Sequence, residues 1–76
     1  MLTSVDRAII DLERTWWQVP GSKEWAMLEG VGMDAADYYR RLVDLVWTEG
    51  AHDYDPLTVR RLRRLISPIQ RAADSP

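Results

Sequence analysis

The chain has 76 residues, no cysteine and a formal net charge of -2 at pH 7. This length predicts a single domain, and the lack of thiols excludes disulfide bonds and thiolate metal sites. No apolar run approaches the roughly 18 residues of a membrane span, and the amino terminus lacks the pattern of a signal peptide. We therefore expect a cytoplasmic protein with no membrane segment.

Charge is distributed unevenly along the chain. Residues 1–54 carry five basic and ten acidic side chains, whereas residues 55–76 carry five arginines and two aspartates. The first part is thus about -5 and the second about +3. A basic end on an acidic body favours an anionic partner at one face of the protein.

A first helix is predicted from about Ser4 to Trp17, because Thr3 and Asp6 have the spacing of a capping box. Its apolar residues form two stripes at helical spacing. The first stripe is expected to face the core and contains Val5, Ile9, Leu12 and Trp16. The second stripe contains Ile10 and Trp17, and it needs cover from the carboxy-terminal helix or from another subunit.

A short second helix is predicted from Lys23 to about Glu29. Residues 18–21 contain a proline and a glycine and form a break ahead of it, after which Ser22 is the capping residue. Gly30 is placed to end this helix in a left-handed turn.

The stretch from Asp34 to Trp47 is the most apolar, and its apolar positions cover roughly 200° of a helix. This third helix must be covered on two sides and is therefore expected to lie at the centre of the fold. Asp34 is its predicted cap and Gly50 its predicted end. A narrow polar strip remains on it, formed by Asp37, Arg40, Arg41, Asp44 and Thr48.

Residues 51–54 are expected to form a polar connection, and Asp55 followed by Pro56 predicts the start of a fourth helix. The apolar side of this helix has Val59, Leu62, Leu65, Ile66 and Ile69. The opposite side has Arg60, Arg61, Arg63, Arg64 and Arg71. Pro68 should kink or restart the helix, and residues 72–76 should fray.

The second and third helices, joined by residues 30–33, have the spacing of a helix-turn-helix. Ala26 is the small residue of that motif, and Ala36 and Tyr39 occupy positions that pack back against the first helix of the pair. A purely structural corner between two helices has the same spacing. If the motif binds DNA, the contacts are the basic side chains of the two helices, Lys23, Arg40 and Arg41.

Acidic side chains weaken this interpretation of the third helix. Asp34 and Asp37 lie at its start, where base contacts would occur, and carboxylates repel phosphates. The alternative is a solvated face on which charges pair four residues apart, Asp37 with Arg41 and Arg40 with Asp44.

The arginine cluster of the last helix, Arg60, Arg61, Arg63 and Arg64, is a stronger signal. Arginine forms forked hydrogen bonds to phosphate, and an apolar underside fixes several arginines toward one surface. The cluster is therefore predicted to bind nucleic acid. The alternatives are an ordinary charged face, or docking on the acidic body through Asp11, Glu13 and Glu49.

No catalytic or cofactor motif accompanies these features. The sequence has no nucleophile beside a base and no phosphate-binding glycine loop, so we expect no enzyme activity, no cofactor and no small-molecule substrate. His52 beside Asp53 is a weak metal candidate. Trp16 and Trp17 form a candidate stacking platform for bases, although Trp16 is expected in the core.

The double tryptophan, the double tyrosine and the arginine-rich end form a specific combination. The runs concerned are Asp6 to Trp17, Lys23-Glu24, Tyr38-Tyr39, Tyr54-Asp55-Pro56 and Val59 to Arg64. Together they resemble a family of small actinobacterial and actinophage proteins of unknown function. The resemblance implies a compact helical protein with helix-turn-helix character. Asp34 and Asp37 depart from the family pattern, which has a small polar cap and a basic residue there.

Together these patterns predict an all-α fold, a compact bundle of about four helices. A single domain, residues 1–76, has a helix-turn-helix core over about 4–49 and a basic carboxy-terminal helix over about 56–73. The predicted function is binding of double-stranded DNA by a transcriptional or phage regulatory factor. The alternative is a non-catalytic interaction module that contacts a host protein, or a second copy of itself, through Ile10 and Trp17.

Overall fold

Five α-helices make up the described part of the fold. The computed structural model describes residues 2–18 and 21–74, and its helices are α1 (Ser4–Thr15), α2 (Lys23–Ala26), α3 (Ala35–Leu45), α4 (Glu49–Tyr54) and α5 (Pro56–Asp74). A 3-10 turn, Trp16–Gln18, follows α1, and a π-helical turn, Met27–Val31, continues α2. These residues contain no strand, so the all-α prediction is confirmed. None of these helices is long and apolar enough to cross a membrane.

α1 begins with the predicted capping box. The N–H of Thr3 donates to Asp6 Oδ2 and the N–H of Asp6 donates to Thr3 Oγ1, each over 3.1 Å. The predicted core stripe is confirmed for Ile9, which is fully buried, and wrong for Val5 and Trp16, which are 41% and 38% exposed. The buried residues of α1 are Asp6, Ile9, Ile10 and Glu13. This buried face lies between the two predicted stripes. It can include two carboxylates because each has a cationic partner, Arg41 for Asp6 and Lys23 for Glu13.

α1, and not α3, is the central element of the fold. It contacts the π-helical turn, α3, α4 and α5. The core contains Ile9, Ile10, Met27, Tyr38, Leu42, Leu45, Val46, Ala51, Val59, Leu62 and Ile66. Tyr39 of α3 and Trp47, which follows α3, are exposed. The prediction that α3 is covered on two sides is therefore wrong. A chain this short buries too little surface to cover a second face of that helix.

The turn between α2 and α3 is made by a different glycine from the one predicted. Ser22 caps α2 as expected, accepting the N–H of Trp25 over 3.1 Å. Gly30 lies inside the π-helical turn, and Gly32, with a φ of 78°, takes the left-handed conformation. The N–H of Gly32 donates to the carbonyl of Met27 over 2.9 Å. This hydrogen bond reaches five residues back, as in a π-helix, so the helix ends at Gly32 and not at Gly30.

α3 ends at Leu45, earlier than the predicted end at Gly50. Thr48 stops it and starts α4, because its hydroxyl donates to the Leu45 carbonyl over 2.8 Å and accepts the N–H of Ala51 over 3.2 Å. Gly50 and residues 51–54 are consequently helical. The predicted polar connection at 51–54 is wrong.

The remaining predicted caps are present. Asp34 Oδ1 accepts the N–H of Asp37 over 2.9 Å at the start of α3, and Asp55 Oδ1 accepts the N–H of Thr58 over 3.2 Å at the start of α5. Short-range capping signals therefore predicted every helix start except that of α4.

α5 continues through Pro68 without the predicted restart. A helix tolerates the proline with the loss of one backbone hydrogen bond and some bending. The side chains of α5 are described as far as Ser67. The predictions made for Pro20, Ile69, Arg71 and residues 75–76 lie outside the described residues and side chains.

Candidate functional site

The outer face of α5 carries an exposed basic surface. We call its residues, Arg60, Arg61 and Arg64, the α5 basic stripe, and all three are exposed. Within residues 2–18 and 21–67, none of them forms an ion pair with a carboxylate. Residues three and four apart share one helix face, so these guanidinium groups lie on one side of α5.

Arg61 is fixed in place without losing its charge. Its Nη2 donates to the carbonyl oxygen of Glu13 over 2.8 Å, and its guanidinium carbon lies 5.0 Å from the ring centroid of Trp17. A carbonyl and an aromatic face orient a guanidinium but do not neutralise it. The alternative in which the arginine cluster docks on carboxylates of the acidic body is therefore wrong for Arg61. Its guanidinium donates to the main-chain oxygen of Glu13 instead.

Arg63 was predicted to bind nucleic acid but serves to attach α5 to the end of α3. Its Nε donates to the Val46 carbonyl over 2.5 Å and its Nη2 to the Thr48 carbonyl over 3.4 Å. Its guanidinium carbon lies 5.5 Å from the ring centroid of Trp47. Because its donors satisfy carbonyls at a helix end, we leave Arg63 out of the α5 basic stripe.

Several basic side chains elsewhere are paired with carboxylates. The pairs are Arg14 with Asp11 and Asp55, each over 3.1 Å, Lys23 with Glu13 over 2.9 Å, Arg40 with Asp37 over 3.7 Å, and Arg41 with Asp6 over 2.8 Å. Among the side chains that the structure describes, positive charge without a paired carboxylate is therefore concentrated on α5, with Arg7 of α1 as a further arginine outside any ion pair.

Lys23, a predicted phosphate contact, belongs to a network inside the fold. Its side chain is 18% exposed, and its Nζ faces the carboxylate of Glu13, which is itself 5% exposed. The hydroxyl of Tyr38 donates to the same carboxylate. Burial, followed by this hydrogen bond to Glu13, raises the pKa of Tyr38 far above its ordinary value. The prediction for Lys23 is corrected, because its ammonium neutralises a buried acid.

α3 does not present the basic surface that a helix needs to bind in the major groove of DNA. Arg41 Nε donates to Asp6 Oδ1 over 2.8 Å, and this hydrogen bond raises the pKa of Arg41 and lowers the pKa of Asp6. Arg40 lies 3.7 Å from Asp37, three residues away. The predicted pairs four residues apart are therefore wrong, because the buried carboxylate of Asp6 takes Arg41.

The predicted interaction stripe of Ile10 and Trp17 is not a continuous surface. Ile10 is fully buried, so the chain itself covers it, whereas Trp17 is 51% exposed. The prediction is corrected for Ile10, which another protein cannot contact in this fold. Trp17 stays available.

Two hollows beside α5 were missed by sequence reasoning. The indole pocket, about 310 Å³, is lined by Glu13, Trp16, Trp17, Lys23, Arg61, Leu62 and Leu65. The α3–α5 groove, about 340 Å³, is lined by Glu13, Lys23, Tyr39, Leu42, Val43, Leu62, Leu65 and Ile66. The double tryptophan was the available signal for the first, but Trp16 was expected in the core and is partly exposed.

The weak metal candidate at His52 gains no support from its surroundings. His52 shares a surface depression with Glu49, Asp53 and Arg63. Within the part of the chain that the structure describes, no group of three or more histidine, cysteine or acidic side chains is placed to hold a metal ion.

The fold and its surface define a small all-α domain with one basic helix. The chain belongs to the family described as protein of unknown function, DUF3263, whose model matches residues 1–73. The resemblance to a family of unknown function is thereby confirmed. No curated protein and no solved structure matches the chain significantly.

Proposed function

We propose that this protein is a small non-catalytic DNA-binding factor that holds the phosphate backbone through the α5 basic stripe. In this proposal it acts in the cytoplasm as a transcriptional or phage regulator. The observation that supports it is the uneven neutralisation of charge: the arginines of the stripe have no carboxylate partner among the described residues, while Arg40 and Arg41 of α3 do. Guanidinium groups bind phosphate oxygens through forked hydrogen bonds.

α3 has a smaller part in this proposal than in the sequence prediction. Arg41 is held by Asp6, and Asp34 and Asp37 place negative charge at the start of the helix. Carboxylates in that position repel phosphates, so we propose backbone contacts by α5 and little base recognition by α3. The helix-turn-helix character and the actinobacterial or actinophage setting stay predictions of the sequence.

Duplex binding by two single variants tests the proposal. Arg64→Ala and Arg40→Ala each remove one exposed arginine, but only the first belongs to the α5 basic stripe. At about 50 mM salt we expect Arg64→Ala to weaken binding about tenfold, the loss of one charged hydrogen bond, and Arg40→Ala less than twofold. Fluorescence anisotropy with a labelled duplex measures both. Equal effects of the two variants, or no binding by the unmodified protein, would reject the proposal.

A protein-interaction module is the second candidate, because the α3–α5 groove has apolar walls. Tyr39 and Leu65 are exposed beside it. A host protein or a second copy of the chain that inserts an apolar side chain here would bury them. Sedimentation velocity at micromolar concentration tests self-association, and Leu65→Glu should abolish any dimer by placing a charge in the groove. A monomer at every concentration removes the homodimer form of this candidate.

A further inference from the structure

The indole pocket adjoins the α5 basic stripe, and Arg61 belongs to both. The pocket has a volume of about 310 Å³, at the lower end of the roughly 300–1,000 Å³ of small-ligand sites. Two of its walls are indole rings that solvent reaches, with Trp16 38% and Trp17 51% exposed. Aromatic walls with a cation at the rim suit a flat aromatic ligand that carries negative charge.

The two indoles cover each other only in part. Their ring centroids lie 6.3 Å apart and their planes meet at 79°. In an edge-to-face pair the edge of one ring packs on a face of the other, and the 38% and 51% exposure of Trp16 and Trp17 shows that part of each side chain stays accessible. The Arg61 guanidinium carbon lies 5.0 Å from the ring centroid of Trp17, and Trp17 as a residue is still 51% exposed.

Charge around the pocket gives a bound ligand its orientation. Lys23 Nζ lies 5.2 Å from the centroid of Trp16, but its charge is matched by Glu13. Arg61 has no carboxylate partner among the described residues, and Arg60 and Arg64 continue the positive surface away from the pocket. An anionic group is therefore attracted to the α5 side, and an aromatic group to the indole side.

We propose that the indole pocket takes an unpaired nucleobase while the adjoining phosphates lie on the α5 basic stripe. The inference rests on the DNA binding proposed above and adds the form of the nucleic acid, a single strand. Bases inside a duplex are stacked on their neighbours, so only an unpaired base can stack on an indole. Duplex DNA then uses the stripe alone and binds more weakly.

Anisotropy with a labelled thymidine strand of about 12 nucleotides, within the usual site sizes of single-strand binders, tests this inference. We expect the strand to bind at least tenfold more tightly than a duplex of equal length at about 50 mM salt. Trp17→Ala should weaken single-strand binding about tenfold, the usual loss of one stacked base. Duplex binding should weaken much less, because Arg61 keeps its hydrogen bond to the Glu13 carbonyl. Trp25→Ala is the matched control, because Trp25 is 53% exposed and does not line the pocket.

Trp17→Phe keeps an aromatic face and should retain most of the binding, which separates lost stacking from a fold damaged by the alanine. The inference is overturned if Trp17→Ala and Trp25→Ala have equal effects, or if strand and duplex bind equally. The proposed function survives either result, because it is tested separately by duplex binding of the unmodified protein and of its Arg64→Ala and Arg40→Ala variants. The inference would also be overturned if thymidine monophosphate bound as tightly as the strand. It would likewise be overturned if polyglutamate displaced the labelled strand as well as unlabelled strand does.

Discussion

α1 and α5 are both amphipathic helices with charged residues, but they use charge in opposite ways. α1 buries Asp6 and Glu13 on its inward face, and each carboxylate meets a cation from another segment, Arg41 or Lys23. α5 exposes three arginines without a carboxylate partner among the described residues. The first arrangement stabilises the fold, and the second leaves a surface available to a polyanion.

The difference shows which charges are candidates for function. A carboxylate that loses its hydration is costly unless a cation and hydrogen bonds replace the water. Burial of Asp6 and Glu13 therefore requires their partners, and Arg41 and Lys23 are explained by that need. Nothing in the packing of α5 requires Arg60 or Arg64, so their charge points to a partner outside the fold.

Replacing Lys23 by methionine should cause the largest loss of stability. It leaves the buried carboxylate of Glu13 without a cation, which costs about 3 kcal/mol. Urea unfolding at pH 7 measures the change. The double variant Glu13→Gln with Lys23→Met should recover most of the loss, because glutamine still accepts the Tyr38 hydroxyl and carries no charge. A Lys23→Met variant as stable as the unmodified protein would show that the α1 network contributes little.

Asp6→Asn should lower the free energy of unfolding by about 1.5 kcal/mol at pH 7, through the lost charged hydrogen bond to Arg41. Because that hydrogen bond lowers the pKa of Asp6, the folded carboxyl has a lower pKa than the unfolded one, about 3.9. Its stabilisation is present above pH 4 and disappears as the pH falls through the folded pKa.

The free energies of unfolding of Asp6→Asn and the unmodified protein should therefore converge as the pH falls below about 4 and through the lowered pKa of Asp6, and a difference that stays constant throughout the acid range would contradict this explanation. Asp53→Asn is the control, because Asp53 is exposed on α4 and should change stability by less than about 0.5 kcal/mol.

Gly32→Ala tests the turn that brings α2, and with it Lys23, against α1. An alanine at a φ of 78° should cost about 1 kcal/mol. A Cβ at Gly30 meets no atom within 4 Å, so Gly30→Ala should stabilise by about 0.5 kcal/mol. Thermal unfolding should shift in opposite directions for the two variants. If Gly30→Ala destabilised the protein and Gly32→Ala did not, the left-handed turn would lie at Gly30, as the sequence predicted.

The smallest effect on stability is expected for the exposed arginines of α5. Arg60→Ala with Arg64→Ala should change the free energy of unfolding by less than about 0.5 kcal/mol, because exposed side chains without partners contribute little. A loss above 1 kcal/mol in urea unfolding would mean that these arginines have a structural partner.

The sequence was sufficient for four of the helix starts, where the deciding interaction is local, although the equally local cap at Thr48 was missed. The caps at Thr3, Ser22, Asp34 and Asp55 were predicted because each depends on a side chain and an amide three residues away. The all-α class followed from helical periodicity.

The face of α1 could not be predicted, because it depends on distant cations that make Asp6 and Glu13 tolerable inside the fold. The same limit applies to the candidate site. Hydrophobicity placed Trp16 in the core, whereas the fold brings α5 beside it and leaves both indoles partly exposed. Sequence spacing put Arg61 and Arg63 in one cluster, but carbonyls from α1 and the end of α3 separate their roles.

The salt dependence of duplex affinity tests the central claim most directly, because each phosphate contact contributes about -0.9 to the slope of log affinity against log salt. If Arg60, Arg61 and Arg64 each contact a phosphate, the unmodified protein should show a slope of about -3 and the Arg60→Ala, Arg64→Ala double variant about -1. Equal slopes for the two proteins, or a slope near zero for the unmodified one, would contradict the claim that α5 binds a polyanion.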